Sequence, residues 1–320
     1  MYIINFHFIM RLSLTKGFLL LGVLQFFFAL NCFTQPNFPQ APKDAQLIYD
    51  DLIHYTEAYK ELASTTDTIQ VLQELYFDRG SDGLREFISR HQLTPKLLKE
   101  ALAANPERYA LLSGFLGNIA EVEEQYRALM HDFDKAIPNA MYPPTYLLVG
   151  ANRGIGQASQ VGQLITVVRP IDSPDKLKKI MAHELSHFQQ AMAMGGQQYS
   201  ALYTKPDNLL GLCLREGGAE FLASLVVNDI TQTKALEYLK KNEKRLKEQF
   251  LSDLEAQNKD LWLWASIEQE DYPELIGYAM GYMICKHYYE LATEKTEALQ
   301  DILLMKDGDA FLTASGYFDL

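Results

Sequence analysis

The segment His183-Glu184-Leu185-Ser186-His187 places two histidines four residues apart, with a glutamate beside the first. In a helix this spacing turns the two imidazoles by about 40° and separates them by roughly 6 Å along the axis, so they share one face. Two imidazoles so arranged can bind one tetrahedral zinc ion. Glu184 then lies where a carboxylate can act as base toward a water that the metal activates. The pattern therefore predicts a helix with two metal ligands and a catalytic base.

The flanking sequence predicts the same helix. Ser173 can cap its first amides, and Pro174 suits the first helical position. Apolar residues follow at three- and four-residue spacing, and Gly195-Gly196 is a stop signal. Shuffling a chain of this composition would give the histidine pattern in about one chain in a hundred. The alternative is a helix with incidental histidines, and the helix signals favour the metal site over it.

Two further carboxylates, Glu216 and Glu220, lie one helical turn apart in a strongly apolar segment. We expect Glu216 to be the third zinc ligand and Glu220 to accept the outer N–H of a ligand histidine. The reverse assignment is one alternative, and a charged face on which Glu216 pairs with Arg215 or solvent is another. Each of the two glycines at Gly217-Gly218 costs about 1 kcal/mol relative to alanine inside a helix. A close approach to the helix of His183 would explain why both are there, and we expect it.

Two short β-rich runs precede the histidine helix, Tyr146–Val149 and 163–168. We interpret the glycine-rich segment between them, Gly150–Gly156, as a hairpin loop. It also resembles the cofactor turn of short-chain dehydrogenases, which makes an oxidoreductase the alternative. That turn should open a helix at the pyrophosphate, whereas a second strand is predicted here.

Upstream, apolar periodicity predicts helices over 45–64, 68–75, 83–90, 95–104 and 110–135. We therefore expect an α+β, mostly helical fold. A helical subdomain, 35–140, would precede a core with a small sheet, 141–320, that contains the helix of His183.

The N-terminus has the composition of a secretory signal peptide. Two basic residues, Arg11 and Lys16, precede the apolar run 17–30, and no acidic residue occurs before Asp44. The run is short for a membrane span, although an uncleaved anchor is the alternative. We expect a signal peptide over 1–34, no membrane span after cleavage, and an exported protein that is periplasmic, extracellular or an outer-membrane lipoprotein.

Two cleavage positions fit the end of this segment. Ala29-Leu30-Asn31-Cys32 resembles a lipoprotein box, which would put a lipid anchor on Cys32, but Asn31 stands where a small residue is expected. Cleavage near Thr34 is the competing prediction.

The full chain has a net charge of −12, and loss of 1–34 would leave 27 basic against 41 acidic residues, or −14. This acidity argues against nucleic acid as a partner and suggests a basic or neutral peptide. Only Cys213 and Cys285 remain downstream of Thr34, which excludes a disulfide-dense scaffold. We expect two buried free thiols, and one bridge is the alternative.

Three motifs carry a resemblance to a known family: His183-Glu-Leu-x-His187-x-x-Gln190, Glu216-Gly-x-Ala-Glu220 and Gly277-Tyr278-x-x-Gly281-Tyr282. Residues 142–290 resemble gluzincins, and more specifically a bacterial family of predicted zinc-dependent proteases related to the gliding-motility lipoprotein B group. The resemblance implies a zinc ion and a helix-rich peptidase fold acting on a peptide or protein, with 141–320 as a zincin-like metallopeptidase core. The resemblance does not itself require catalysis, so a zinc-binding envelope protein of secretion or motility machinery is the alternative.

The last motif also offers a donor for the oxyanion of peptide hydrolysis. Tyr278 and Tyr282 lie one turn apart, and a tyrosine commonly supplements the metal at that oxygen. His287 is a weaker candidate. For each of them, ordinary packing in the core is the alternative.

Overall fold

Most of the described chain is helical. The computed structural model describes residues 38–152, 155–204, 208–256, 259, 261–263 and 273–319, with the side chains of 202–204 excepted. The predicted signal peptide, 1–34, lies outside these residues, and Cys32 with it. Among the described residues no helix has both the length and the apolarity needed to cross a membrane. The predicted fold class, α+β and mostly helical with a small sheet, is confirmed.

The α-helices are α1 (Asp50–Glu61), α2 (Thr68–Leu72), α3 (Asp82–His91), α4 (Pro95–Ala104), α5 (Pro106–Ala110), α6 (Leu112–Gly117), α7 (Ile119–Ala136), α8 (Pro174–Met194), α9 (Gly196–Thr204), α10 (Leu209–Val227), α11 (Thr233–Lys241), α12 (Glu243–Ala256), α13 (Ile276–Leu291), α14 (Lys295–Leu304) and α15 (Gly308–Ser315). The strands are β1 (Leu47–Ile48), β2 (Thr145–Leu148), β3 (Gly156–Ala158) and β4 (Gln163–Thr166). A π-helical turn, Gln73–Phe77, continues α2.

The upstream helices follow the predicted periodicity with two differences. The first predicted helix begins at Asp50 rather than at residue 45, because Leu47 and Ile48 pair with β2 as a short strand. The predicted helix 110–135 is interrupted at Asn118, which follows Gly117 and leaves helical backbone geometry (φ −105°, ψ 17°). Glycine and asparagine are weak helix formers, and together they separate α6 from α7.

The sheet has the order β1-β2-β4-β3. Strands β2 and β4 are parallel, so the hairpin predicted between these two runs is wrong. The intervening segment forms its own strand, β3, which pairs antiparallel with β4. Gly162 makes that tight turn possible: its φ is +141°, and a Cβ there would overlap the carbonyl oxygen of Pro144. A strand, not a helix, follows the glycine-rich segment, which contradicts the dinucleotide-turn alternative.

Buried tyrosines join the upstream helices to the end of β2. The Tyr76 hydroxyl donates to the carbonyl oxygen of Val149 (2.8 Å) and accepts from its N–H (3.0 Å). The Tyr109 hydroxyl donates to the carbonyl oxygen of Gly150 at 2.7 Å. One hydrophobic core extends across the predicted helical subdomain and the predicted downstream core, and residues 38–320 form one compact unit. A division near residue 140 stays a prediction.

Helix α10 packs against α13 on one side and α8 on the other. A Cβ on Gly217 would overlap the backbone of Gly281, and a Cβ on Gly281 would overlap the carbonyl of Cys213. Gly217 therefore permits the approach of α13, not of the histidine helix as predicted. Gly218 faces α8, because a Cβ there would lie 2.9 Å from Nε2 of Gln190. Cys213 of α10 and Cys285 of α13 are both buried free thiols, as predicted.

Candidate metal centre

Helix α8 carries His183, Glu184 and His187 in its interior, as the pattern predicts. Its N-terminus is capped by Ser173, whose hydroxyl accepts from the N–H of Lys176. The two imidazole rings lie edge to face, with centroids 4.6 Å apart, and only 5–6 % of either histidine is exposed. A capped helix packed on both sides thus holds the rings in one orientation.

Glu216 of α10 completes a buried group of three donors. Its Oε2 lies 3.0 Å from Nε2 of His187 and 3.6 Å from Nε2 of His183. The three ligand atoms all lie within 4.8 Å of one another. Bonds of zinc length in a tetrahedron put ligand atoms about 3.3 Å apart, and the two measured separations bracket that distance. The donor set fits a metal ion of this kind.

The outer nitrogen of each histidine faces a different acceptor. Nδ1–H of His187 donates to Oε1 of Gln190 at 3.0 Å, and Nδ1 of His183 lies 3.3 Å from Oε1 of Glu220. Glu220 is held in turn by Thr231, whose N–H (2.8 Å) and hydroxyl both donate to its carboxylate. Such outer contacts fix the orientation of a ligand histidine and leave Nε2 to face the metal.

Arg215 lies on the far side of Glu216 and is fully buried. One guanidinium N–H donates to Oε1 of Glu216 at 2.7 Å, while Oε2 of the same carboxylate faces the histidines. Glu216 therefore does pair with Arg215, as one alternative predicted. The pair is buried rather than exposed, and Glu216 still belongs to the donor group through Oε2. The guanidinium also lies over the ring of Tyr199, 5.7 Å from its centroid.

The charges of the group favour a cation at its centre. Burial alone would raise the pKa of the Glu216 carboxyl, yet the charge of His187 and hydrogen bonds from both histidines hold that pKa well below its ordinary value. For His183 burial acts to lower the pKa, but the carboxylates of Glu220, Glu216 and Glu184 together outweigh burial, so this pKa is raised. A proton and a metal ion compete for such a group.

Glu184 points toward the edge strand of the sheet. Burial raises the pKa of its carboxyl, although the nearby backbone N–H of Ala158 acts to lower that pKa. A Cβ on Gly156 would collide with this carboxylate. The residues that flank β3 bond toward β4: the Ile155 carbonyl accepts from the N–H of Thr166, and the Ser159 N–H donates to the carbonyl of Gly162, just before β4 (each 2.9 Å). The alternation of an antiparallel pair therefore turns Gly156 and Ala158 to the outer edge, toward Glu184.

The three candidate oxyanion donors lie in different surroundings. The Tyr278 ring stacks on His183 at a centroid distance of 6.1 Å, and burial and the nearby carboxylate of Glu216 raise the pKa of its hydroxyl. Tyr282 packs beside Phe221, with centroids 6.3 Å apart. Nδ1–H of His287 donates to the backbone carbonyl of Ser315, at 2.5 Å. Of the three, the described contacts bring Tyr278 to the donor group.

Some residues of the site were not assigned a role from the sequence. Gln190 stands three residues after His187, on the same helix face, so its spacing could have indicated the contact. Thr231 reaches Glu220 only because Asn228 ends α10 in the left-handed conformation (φ 56°) and reverses the chain. No local pattern marks Ala158 as the partner of Glu184.

Comparison with known proteins supports a metal-dependent hydrolase. The sequence profile of the family described as "Predicted Zn-dependent protease (DUF2268)" matches residues 117–305, which are 189 of the 320 residues. No curated protein and no solved structure matches the chain. The gluzincin assignment and the link to the gliding-motility group stay predictions. The matched segment contains His183, His187 and Glu216, and the chain belongs to this family of predicted zinc-dependent proteases.

Proposed function

We propose that this protein is a zinc-dependent peptidase of the gluzincin type, with His183, His187 and Glu216 as zinc ligands. The observation that carries the proposal is the convergence of two imidazole Nε2 atoms and one carboxylate oxygen beside a buried, independent carboxylate, Glu184. Metal sites that only stabilise a fold use four protein ligands, whereas a three-ligand set leaves a position open for substrate.

A bound zinc ion supplies Lewis acidity, because it polarises a carbonyl oxygen and lowers the pKa of a water. Glu184 is the base in this proposal: it takes the proton of the attacking water and delivers it to the leaving amine. Its raised pKa suits this work, since a base of higher pKa accepts a proton more readily near neutral pH. Tyr278 stays protonated and donates its hydroxyl hydrogen to the developing oxyanion.

The edge of β3 supports a peptide as the substrate. The backbone groups of Gly156 and Ala158 face outward beside Glu184, as derived from the pairing with β4. An extended peptide can hydrogen-bond to such an edge as an added strand, through groups other than the Ala158 N–H that faces Glu184, which would place its own backbone carbonyl next to the base. Gly156 has no side chain, and a Cβ there would collide with the Glu184 carboxylate.

The test combines metal analysis with a change of the base. Glu184→Gln is expected to keep zinc and to lose peptide hydrolysis by about 10²–10⁴-fold, measured with a mixture of quenched fluorescent peptides. Asp175→Asn is the control, because it removes an exposed carboxylate from the same helix and should leave the rate unchanged. Full hydrolysis by Glu184→Gln would contradict the proposal. Full biological activity of that variant without hydrolysis would favour the zinc-binding, non-catalytic envelope protein.

We also propose that the protein is exported. The basic start at Arg11 and Lys16 and the apolar run 17–30 support this proposal. Cell fractionation and mass spectrometry of the mature N-terminus test it: a start at Cys32 with an added lipid indicates the lipoprotein, and a start near Thr34 indicates the cleaved form. Recovery of the intact chain from the cytoplasm would contradict export.

A further inference from the structure

A closed ring of three hydrogen bonds and one close contact links two of the proposed ligands through Arg215. Oε1 of Glu216 accepts from the Arg215 guanidinium (2.7 Å), and the backbone carbonyl of Arg215 accepts from Nε2 of Gln190 (3.0 Å). Oε1 of Gln190 accepts from Nδ1–H of His187 (3.0 Å), and Nε2 of His187 faces Oε2 of Glu216 (3.0 Å). Four residues thus determine one another's positions.

Arg215 is unusual in its burial. Among the residues that the structure describes, it is the only lysine or arginine in the buried class, with 0 % exposure. Burying a guanidinium costs free energy unless it is paired, and its carboxylate partner here is one of the three metal donors. Since Glu216 and Glu220 are both buried on the same helix, one buried cation also offsets part of their negative charge.

We infer that Arg215 is a positioning residue that keeps Glu216 a one-oxygen ligand, by holding Oε1 while Oε2 faces the metal. The inference rests on the zinc site of the proposed function. A carboxylate with both oxygens available can bind zinc through both and fill the open position. A guanidinium N–H that occupies Oε1 opposes this, and arginine is suited to the role because its charge is permanent and its donors are fixed in a plane.

Arg215 touches neither the scissile bond nor the base in this arrangement. It acts through Glu216, and through its backbone carbonyl on Gln190 and so on His187. The expected consequence of its loss is weaker zinc binding and an altered coordination number, with the helix itself retained.

Three variants of the full mature chain test the inference. Arg215→Met removes the charge and the donors at similar length, and Arg215→Lys keeps the charge but replaces the fork. Leu214→Ala is the control, because Leu214 is the adjacent, equally buried residue of α10 and belongs to no part of the ring. Zinc affinity is measured with Zn²⁺ alone by chelator competition, and coordination is measured from the visible absorption of the Co²⁺-substituted protein.

We expect Arg215→Met to bind Zn²⁺ about 10- to 100-fold more weakly. Its cobalt absorption should be weaker than that of the wild type, because five- or six-coordinate cobalt absorbs less than four-coordinate cobalt. Arg215→Lys should recover part of both properties. Leu214→Ala should melt at a lower temperature but keep the zinc affinity and cobalt spectrum. Wild-type zinc affinity with an unchanged cobalt spectrum in Arg215→Met would overturn the inference.

If Arg215→Met does not fold, X-ray absorption of the zinc-loaded wild type decides the question. A single shell of nitrogen and oxygen ligands supports a one-oxygen Glu216, and an additional long zinc–oxygen distance from the same carboxylate overturns it. A wild-type protein that binds no Zn²⁺ would instead contradict the proposed function. The failures of the two proposals are therefore distinguishable.

Discussion

Glu220 and His183 face each other across helices α10 and α8, with Oε1 of Glu220 3.3 Å from Nδ1 of His183. Glu220 is fully buried, and its other contacts are to Thr231. The carboxylate therefore orients the imidazole, and its own orientation depends on a turn eleven residues later.

The first prediction concerns this pair. Glu220→Gln removes the charge that holds Nδ1–H, so the variant should bind Zn²⁺ about 10–100-fold more weakly while keeping its helical content. Chelator competition and circular dichroism measure the two properties. Glu237→Gln removes an exposed carboxylate from α11 and should behave as the wild type. An unchanged zinc affinity in Glu220→Gln would exclude this role.

The second prediction uses two adjacent glutamines. Gln190 bonds to His187 and to the Arg215 backbone, whereas Gln189 bonds to the backbone of Met141 (2.9 and 2.7 Å). Replacement of either by leucine leaves buried groups unpaired and should cost about 1–3 kcal/mol of stability. Only Gln190→Leu should also weaken Zn²⁺ binding. Denaturant titration and chelator competition separate the effects, and an equal loss of affinity in both variants would refute the assignment.

The third prediction concerns the crossing of α10 and α13. Gly281→Ala places a methyl group against the carbonyl of Cys213, where only backbone can yield, so the free energy of unfolding should fall by at least about 1–3 kcal/mol. Gly114→Ala is the opposite case, since nothing lies within 4 Å of its Cβ position. That substitution should stabilise the protein by about 0.4–1 kcal/mol. Urea unfolding of both variants gives the comparison, and a neutral Gly281→Ala would show that the helices can separate freely.

The fourth prediction concerns pH. Burial raises the pKa of Asp51, despite hydrogen bonds from the N–H (2.9 Å) and hydroxyl (2.5 Å) of Ser81. A raised pKa means that the folded state favours the protonated form. The contribution of Asp51 to stability is therefore complete below its unfolded pKa, about 3.9, and is lost as the pH rises through the folded pKa.

Asp51→Asn cannot lose a proton, so its stability relative to the wild type should increase from pH 4 to pH 7. Asp50→Asn, at an exposed position of the same helix end, corrects for the loss of a charge near the helix N-terminus. Thermal unfolding at several pH values provides the measurement. If the stability of Asp51→Asn relative to the wild type fell from pH 4 to pH 7, the raised pKa of Asp51 would be contradicted.

Much of the site follows from local sequence, and the remainder depends on long-range packing. The helix of His183 was predictable because its cap, periodicity and stop are all local signals, and α8 has these bounds. The parallel pairing of β2 and β4 was not, because a short apolar run carries no information about the direction of its partner. Strand β1 has two residues, too few to give a pattern. The contacts of Thr231 and Ala158 depend on where the chain returns, which no spacing encodes.

The hydrogen bonds from Tyr76 and Tyr109 to the end of β2 connect the family-matched segment to residues that precede it. The family match begins at residue 117, yet Tyr76 and Tyr109 precede it and bind Val149 and Gly150 within it. A protein cut to the matched segment would lose the hydroxyls that bind the Val149 amide and the carbonyls of Val149 and Gly150, just before the strand beside Glu184. The family match and the hydrogen-bonded scaffold of the metal-donor group therefore have different boundaries along this chain, and those of the scaffold are the wider.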